Sequence, residues 1–239
     1  MSNELVSWED RLKKDAVAIQ DAYKSPIGTV SFSSAGMFYE GAPVEGNKLS
    51  VVTLAAAFVN LWYKDTYDPD VRKNPDCYAI SQSRIGMKPD PTATDIQSPV
   101  CDGCPMLRFR TDPVRGRAKW CKEKMRLIML PGGRAKDAGQ IANSELAQCT
   151  LPVMSVKNWM DYAQSLGGGI WVVVTEMKWV PDKKTQFKVQ FSLQGQIDDS
   201  AVKSAIAGRL DAATAHIMAP YPVAEETPAA PASDKKKKY

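Results

Sequence analysis

The sequence predicts an α+β protein that is mainly β, and two segments support this most directly. Residues 170–197, IWVVVTEMKWVPDKKTQFKVQFSLQGQI, alternate apolar and polar side chains in two runs joined by PDKK, the pattern of two half-buried strands and a turn. The apolar run from Leu49 to Tyr63 indicates one or two buried strands, although its alanines leave a helix open for part of it. It is shorter than the roughly 20 apolar residues of a transmembrane helix, so no membrane partner is expected.

Shorter segments fill in the expected order of elements. Apolar positions at helical spacing predict an N-terminal helix at 1–24, and residues 25–218 are expected to form the main domain. Within that domain the patterns predict a hairpin or a pair of strands near 27–41, short strands at 75–81 and 125–133, a helix capped by Ser155, and one amphipathic helix at 200–218. The segment 219–239, which is rich in Pro, Ala and charge, is predicted to be a disordered tail.

Four cysteines carry the strongest functional signal: Cys77, the pair Cys101 and Cys104 in SPVCDGCP, and Cys121 in KWCKEK. Zinc prefers four tetrahedral ligands, and two thiolates separated by two residues on a tight turn can both face one ion. Gly103 favours such a turn. We therefore predict a zinc site formed by these four cysteines. It would be structural, because four thiolates leave no position for a reactive water.

Disulfide bonds are the main alternative for these cysteines. The N-terminus, MSNELVSWEDRLKKD, is polar and charged and lacks the apolar segment of a signal peptide, so a cytoplasmic location is expected. Thiols stay reduced there, which favours a metal. Pro99 and Pro105 bracket the close pair and favour a loop over the strand–helix junction of a thioredoxin-like motif. The fifth cysteine, Cys149, is expected in a partly buried strand or loop.

The cysteines enclose an insertion at about 77–126 that is rich in Pro, Gly and charge. Between Cys104 and Leu127 the sequence contains eight basic residues and only two acidic ones, Asp112 and Glu123. Such a loop suits single-stranded nucleic acid, because phosphates need positive charge and unpaired bases stack on aromatic rings. The predicted contacts are six basic side chains for phosphates and two rings that we expect to be exposed and to stack on bases: Arg108, Arg110, Arg115, Arg117, Lys119, Lys122, Phe109 and Trp120.

The order of PDCYAIS, SPVCDGCP, GRAKWCKE and MRLIMLP, followed by strands such as VVVTEMKWV and TQFKVQFSL, resembles the phage single-stranded-DNA-binding proteins of the oligonucleotide-binding (OB) fold. These include the helix-destabilising protein of T4-like phages. The resemblance spans about residues 25–195, and its specific part is the cysteine region. It differs in two respects: the zinc site of that group includes a histidine, whereas the only histidine here is His216 in a late segment, and the acidic C-terminal tail is replaced by EE followed by KKKK.

The resemblance implies an OB-like β-barrel with a zinc-containing loop insertion and flanking helices. It further implies a protein that coats and protects single-stranded DNA in phage replication or recombination, with the host cytoplasm as its location. Replication or recombination proteins would then be further partners.

Enzymatic interpretations have less support. The chain has one histidine and no phosphate-binding loop of the G-x-x-x-x-G-K-[ST] type, so we expect a protein that is not an enzyme. The alternative from another class is a zinc-stabilised adaptor whose basic loop binds a polymerase or a host protein. Steep salt dependence and a preference for single strands would favour nucleic acid over the adaptor.

Overall fold

The computed structural model describes residues 27–65, 73–132 and 137–221. The predicted helix at 1–24 lies outside these ranges, as does the predicted disordered tail apart from its residues 219–221. The described residues divide into two compact units. We call them the sheet unit, residues 27–59, 81–84, 123–132 and 137–218, and the cysteine unit, residues 60–65, 73–80, 85–122 and 219–221.

Strands are the main regular elements of the described residues, which confirms the prediction of a mainly β, α+β protein. The strands are β1 (Gly28–Ser33), β2 (Gly36–Tyr39), β3 (Ala42–Pro43), β4 (Lys48–Trp62), β5 (Cys77–Ser81), β6 (Lys122–Pro131), β7 (Ala147–Leu151), β8 (Val173–Asp182) and β9 (Gln186–Gln196). The α-helices are α1 (Ala138–Asn143), α2 (Val153–Ser165), α3 (Ser200–Ala207) and α4 (Leu210–Met218). No helix within the described ranges has the length and apolar character needed to cross a membrane.

The strands pair in the order β3-β2-β1-β7-β6-β4-β8-β9, with β5 paired to β4. The described part of the sheet is open, because β3 and β9 stand at its two ends. β1 and β7 are parallel, whereas β1–β2, β6–β7, β4–β8 and β8–β9 are antiparallel. The hairpins predicted near 27–41 and within 170–197 are confirmed, and the apolar run from Leu49 forms one strand, β4, rather than a helix.

Alternating strand residues and one face of α2 form the core of the sheet unit. Its largest fully buried side chains include Met37, Leu127, Met129, Trp159 and Met177. Tyr162, one turn along α2 from Trp159, also lies against this core, as the helical spacing predicted. Cys149 is 2% exposed in β7, and burial raises the pKa of its thiol well above the ordinary value. A thiol in that environment is inert.

Helix α2 also covers the edge strand β9. The Oγ of Ser155 accepts a hydrogen bond from the Val189 N–H at 2.9 Å, and the Asn158 side-chain amide donates to the Val189 carbonyl at 2.9 Å. These bonds satisfy backbone groups that an edge strand otherwise leaves unpaired. The prediction that Ser155 caps the helix is therefore wrong. The helix begins at Val153, directly after Pro152, and Ser155 is buried within the first turn.

The segment 200–218 forms two helices, so the prediction of one helix is wrong. The break falls at Gly208 and Arg209, between α3 and α4. The Arg209 guanidinium donates to the carbonyls of Ile141 and Ala142 at 2.8 Å and of Ser144 at 2.9 Å, at the C-terminal end of α1. Arginine near a helix C-terminus satisfies carbonyls that have no partner within the helix.

The cysteine unit is mostly irregular. It contains the end of β4, most of β5 and the loop 85–122, in which one short 3₁₀ turn spans Pro105–Leu107. β6 already begins at Lys122, before the predicted end of the insertion at 126. Trp62 and Tyr78 are buried here, and the Tyr78 ring meets Tyr221 edge-on with centroids 4.9 Å apart.

Candidate functional site

All four predicted zinc ligands line one small cavity of the cysteine unit. Cys77 opens β5, Cys101 and Cys104 lie on the CDGC turn, and Cys121 directly precedes β6. Cys101, Cys104 and Cys121 are 9%, 8% and 7% exposed, and Cys77 is half-buried. The cavity measures about 20 Å³, room for one body the size of a water or an ion. No disulfide joins these four cysteines.

The backbone around the close cysteine pair forms a tight turn. The Cys104 N–H donates to the Cys101 carbonyl at 3.0 Å, and Gly103 has a φ of +78°, a left-handed conformation that glycine adopts without strain. The Cys121 N–H donates to the Met106 carbonyl at 2.9 Å, which ties the third cysteine segment to the residues that follow the turn. The backbone thus holds both segments beside the same cavity.

The thiols of Cys77 and Cys101 lie close to amide donors and to other sulfurs. Burial raises the pKa of both thiols, while hydrogen bonds from the Gln97 backbone and the Asn60 side chain act in the opposite direction. The Cys104 sulfur is near enough to raise both pKa values further. The net effect is a raised pKa for both thiols, so a bound metal ion would itself have to stabilise the thiolates that ligate it.

The residue types around the cavity fit zinc, but their spacing is loose. Four cysteines, Met106 and two amide donors line or face the cavity, and no carboxylate does. Among the residues that the structure describes, no three His, Cys, Asp or Glu side chains are grouped closely enough to hold one ion. Because Zn–S bonds are about 2.3 Å long, zinc binding requires the four sulfurs to draw inward. His216 is half-buried on α4 in the sheet unit.

The basic residues of the loop divide into two groups. Arg108, Arg110, Arg115 and Arg117 are exposed, and within the described ranges none of the four pairs with a carboxylate. Lys119 and Lys122 are half-buried, and the Lys122 ammonium forms an ion pair with Asp112 at 2.6 Å. The arginines therefore carry the available charge of the loop.

Asp112 organises the turn that presents two of these arginines. Its Oδ1 accepts hydrogen bonds from the N–H groups of Val114 and Arg115, both at 2.9 Å, and its Oδ2 accepts from Lys122 at 2.6 Å. Burial alone would raise the pKa of Asp112, but these hydrogen bonds outweigh it and lower the pKa to about 2. From the sequence, Asp112 was expected to be only a counter-charge to the basic residues. Its position before Pro113 is a known signature of a type I turn and could have predicted this role.

The two aromatic residues of the loop differ in exposure. Phe109 is 73% exposed, and the Lys119 ammonium lies 5.1 Å from its ring centroid, within cation–π range. Trp120 is half-buried and meets Trp62 edge-on, with ring centroids 5.3 Å apart. The expectation of an exposed ring is therefore confirmed for Phe109, whereas Trp120 is more buried than predicted because Trp62 covers it.

Comparisons with known proteins do not identify a relative: no family model, no curated protein and no solved structure matches the chain.

Proposed function

We propose that the protein binds single-stranded DNA through the loop 105–122 of the cysteine unit. The observation that carries this proposal is the group of four exposed arginines beside one exposed phenylalanine: Arg108, Arg110, Arg115, Arg117 and Phe109. No acidic side chain of the described residues pairs with these arginines, so their charge is available to an anionic partner. The backbone phosphates of a nucleic acid are such an anionic partner. Contacts to them do not depend on the base sequence.

Stacking on Phe109 gives the proposed site its preference for single strands. Each base that stacks on an aromatic side chain contributes about 1–3 kcal/mol, and bases inside a duplex are not accessible for it. Lys119 lies over the Phe109 ring and would place a positive charge beside the stacked base. Trp120 and Lys122 remain predicted contacts, although Trp62 and Asp112 already engage them.

Zinc is the proposed structural cofactor, held by Cys77, Cys101, Cys104 and Cys121. The common cavity supports this assignment, since it brings together cysteines from three separate chain segments. Bound zinc would add its binding free energy to the stability of a loop with few regular elements. The arginines would then be presented on a fixed backbone, which lowers the entropy lost on binding DNA.

The biological setting follows from the resemblance to phage single-stranded-DNA-binding proteins. In that setting the protein coats and protects single strands during replication or recombination in the host cytoplasm, alongside replication or recombination proteins, and is not an enzyme. The OB-like barrel belongs to the same proposal. Binding through the loop does not require a barrel, because the four arginines and Phe109 all belong to the cysteine unit.

A zinc-stabilised adaptor for a polymerase or host protein is the second candidate, and two exposed aliphatic side chains favour it. Ile85 is 85% exposed and Val114 is 68% exposed, both in the cysteine unit. Aliphatic groups do not stack on bases as rings do, and exposed apolar groups beside charge are common at protein interfaces.

Fluorescence anisotropy tests the proposal directly. A labelled oligothymidylate and a labelled duplex are titrated with the full chain at several salt concentrations. The four arginines alone predict a slope of log K against log [salt] of about −2.8, or roughly 50-fold weaker binding between about 50 and about 200 mM salt, and any further phosphate contact makes the slope steeper. Binding that favours the single strand with such a slope supports the proposal. Absence of binding, or equal and salt-independent binding to both probes, would refute it and leave the adaptor as the better candidate.

A further inference from the structure

The turn between β8 and β9, in the sheet unit, is basic, and hydrogen bonds of one carboxylate hold its backbone. Asp182 Oδ2 accepts hydrogen bonds from the Lys184 N–H at 3.2 Å, the Thr185 N–H at 3.0 Å and the Thr185 hydroxyl at 2.7 Å. The other carboxylate oxygen pairs with the Lys188 ammonium at 2.8 Å. The turn is therefore held from within by one carboxylate, and its tip consists of Lys183, Lys184 and Thr185.

The two tip lysines keep their charge available. Lys183 and Lys184 are exposed, and in the described part of the chain neither forms an ion pair. Asp182, the nearest acid in sequence, is already engaged by Lys188 and by the turn. Two uncompensated positive charges thus stand on a fixed support, the arrangement that contacts phosphates at low entropic cost.

An aromatic pair lies directly beside this tip. Trp179 of β8 and Phe187 of β9 are both half-buried and stack with centroids 5.9 Å apart and an interplanar angle of 23°. The Trp179 indole N–H donates to the Ser33 carbonyl at 2.9 Å, which fixes the ring. Gln186, at the start of β9, has a φ of +68°, a left-handed conformation that non-glycine residues rarely adopt. Strain of this kind clusters at functional sites.

We propose that this β8–β9 tip is a second contact for single-stranded DNA, with Lys183 and Lys184 on phosphates and the Trp179–Phe187 pair against a base. The inference rests on the proposed function, which it extends from the cysteine unit to the sheet unit. The site combines the two features that nonspecific single-strand binding needs, charge for the backbone and a ring face for a base. A tip of only two lysines adds to binding without supporting it alone.

The test compares three full-length variants in the anisotropy assay with labelled oligothymidylate. Lys183→Gln combined with Lys184→Gln removes the two tip charges and leaves Asp182 and its hydrogen bonds in place. Lys157→Gln combined with Lys203→Gln is the matched control, because it removes two helix charges elsewhere in the sheet unit. The third variant replaces both tip lysines with arginine and keeps the charge.

Removal of two phosphate contacts should make the salt slope shallower by about 1.4, which is a roughly seven-fold smaller loss of affinity between about 50 and about 200 mM salt. The control and the arginine variant should keep the wild-type slope. If the glutamine tip variant also keeps it while wild-type binding remains salt-dependent, the second contact is refuted and the proposed function stands. If the wild-type chain does not bind single strands at all, both are refuted.

Discussion

Replacement of Asp112 by alanine should release the arginine turn of the cysteine unit. The substitution leaves the N–H groups of Val114 and Arg115 without their acceptor and removes the ion pair with Lys122. Each lost hydrogen bond costs about 1 kcal/mol net, so loss of the two bonds should destabilise the turn locally by about 2 kcal/mol, and loss of the largely buried ion pair adds to this. At 1.4 kcal/mol per factor of ten, this corresponds to roughly 30-fold faster amide exchange at Val114 and Arg115.

Hydrogen–deuterium exchange of the full chain measures the exchange rates at Val114 and Arg115. Peptides from β6 serve as the internal reference for the sheet unit. Asp112→Asn is an informative partner, because its remaining Oδ1 can still accept from both N–H groups and only the pair with Lys122 is lost. We expect an intermediate effect. Asp199→Ala is the matched control: Asp199 also accepts two backbone N–H groups, at 2.7 and 3.0 Å, but at the start of α3.

Asp112→Ala should bind single strands more weakly than the wild type, because the turn that presents Arg115 is released. Asp199→Ala should bind them as the wild type does. The reasoning would be refuted if exchange at Val114 and Arg115 stayed at the wild-type rate.

The pH dependence of stability has a definite sign, because the pKa of Asp112 falls from 3.8 to about 2 on folding. Its contribution to stability is therefore fully present above about pH 4 and is lost as the pH falls through about 2.

Three further predictions concern the loop charges, the cysteines and the helix that covers β9. Charge reversal of Arg115 and Arg117 should make the salt slope shallower by at least about 1.4 without lowering the melting temperature, and normal affinity in that variant would exclude the loop from the site. Cys104→Ala should abolish stoichiometric zinc binding in a colorimetric assay and raise exchange throughout 85–122, while one zinc per chain in the variant would contradict the assignment. Ser155→Ala should lower the free energy of unfolding by about 1–3 kcal/mol, because the Val189 N–H loses its buried partner; an unchanged denaturant midpoint would argue against that role.

The elements that follow from local periodicity are the ones that the sequence predicts well. The β8–β9 hairpin and α2 show apolar spacing within a single segment, and each forms near its predicted place. The parallel pairing of Gly28 with Ala147 joins segments far apart in sequence, and no local pattern indicates it. Helix α1 was not predicted because only Ile141 among its six residues is buried, so it has no apolar stripe for a pattern to detect.

Ser155 and Trp120 show why single residue types mislead. Serine is a frequent helix cap, yet this hydroxyl is used by Val189 of a neighbouring strand, and the helix starts after Pro152 instead. Trp120 lies in a charged loop and was expected to be exposed, yet Trp62 at the end of β4 provides a partner for its ring. In both cases a contact distant in sequence decides the environment.

The composition of the loop 85–122 gives an independent reason to expect a metal. Its five buried residues are Met87, Cys101, Cys104, Asp112 and Cys121, so three of the five are cysteines. One methionine and three small thiols supply too little apolar area to offset the backbone entropy of so long a loop, since ordering each residue costs about 1–2 kcal/mol. The hydrogen bonds of the turns restrain parts of the loop locally and do not replace a core. Thiols that meet at one cavity become a strong restraint only when something joins them. A bound ion is a restraint that four thiols at one cavity can provide, and zinc is the ion that we propose for it.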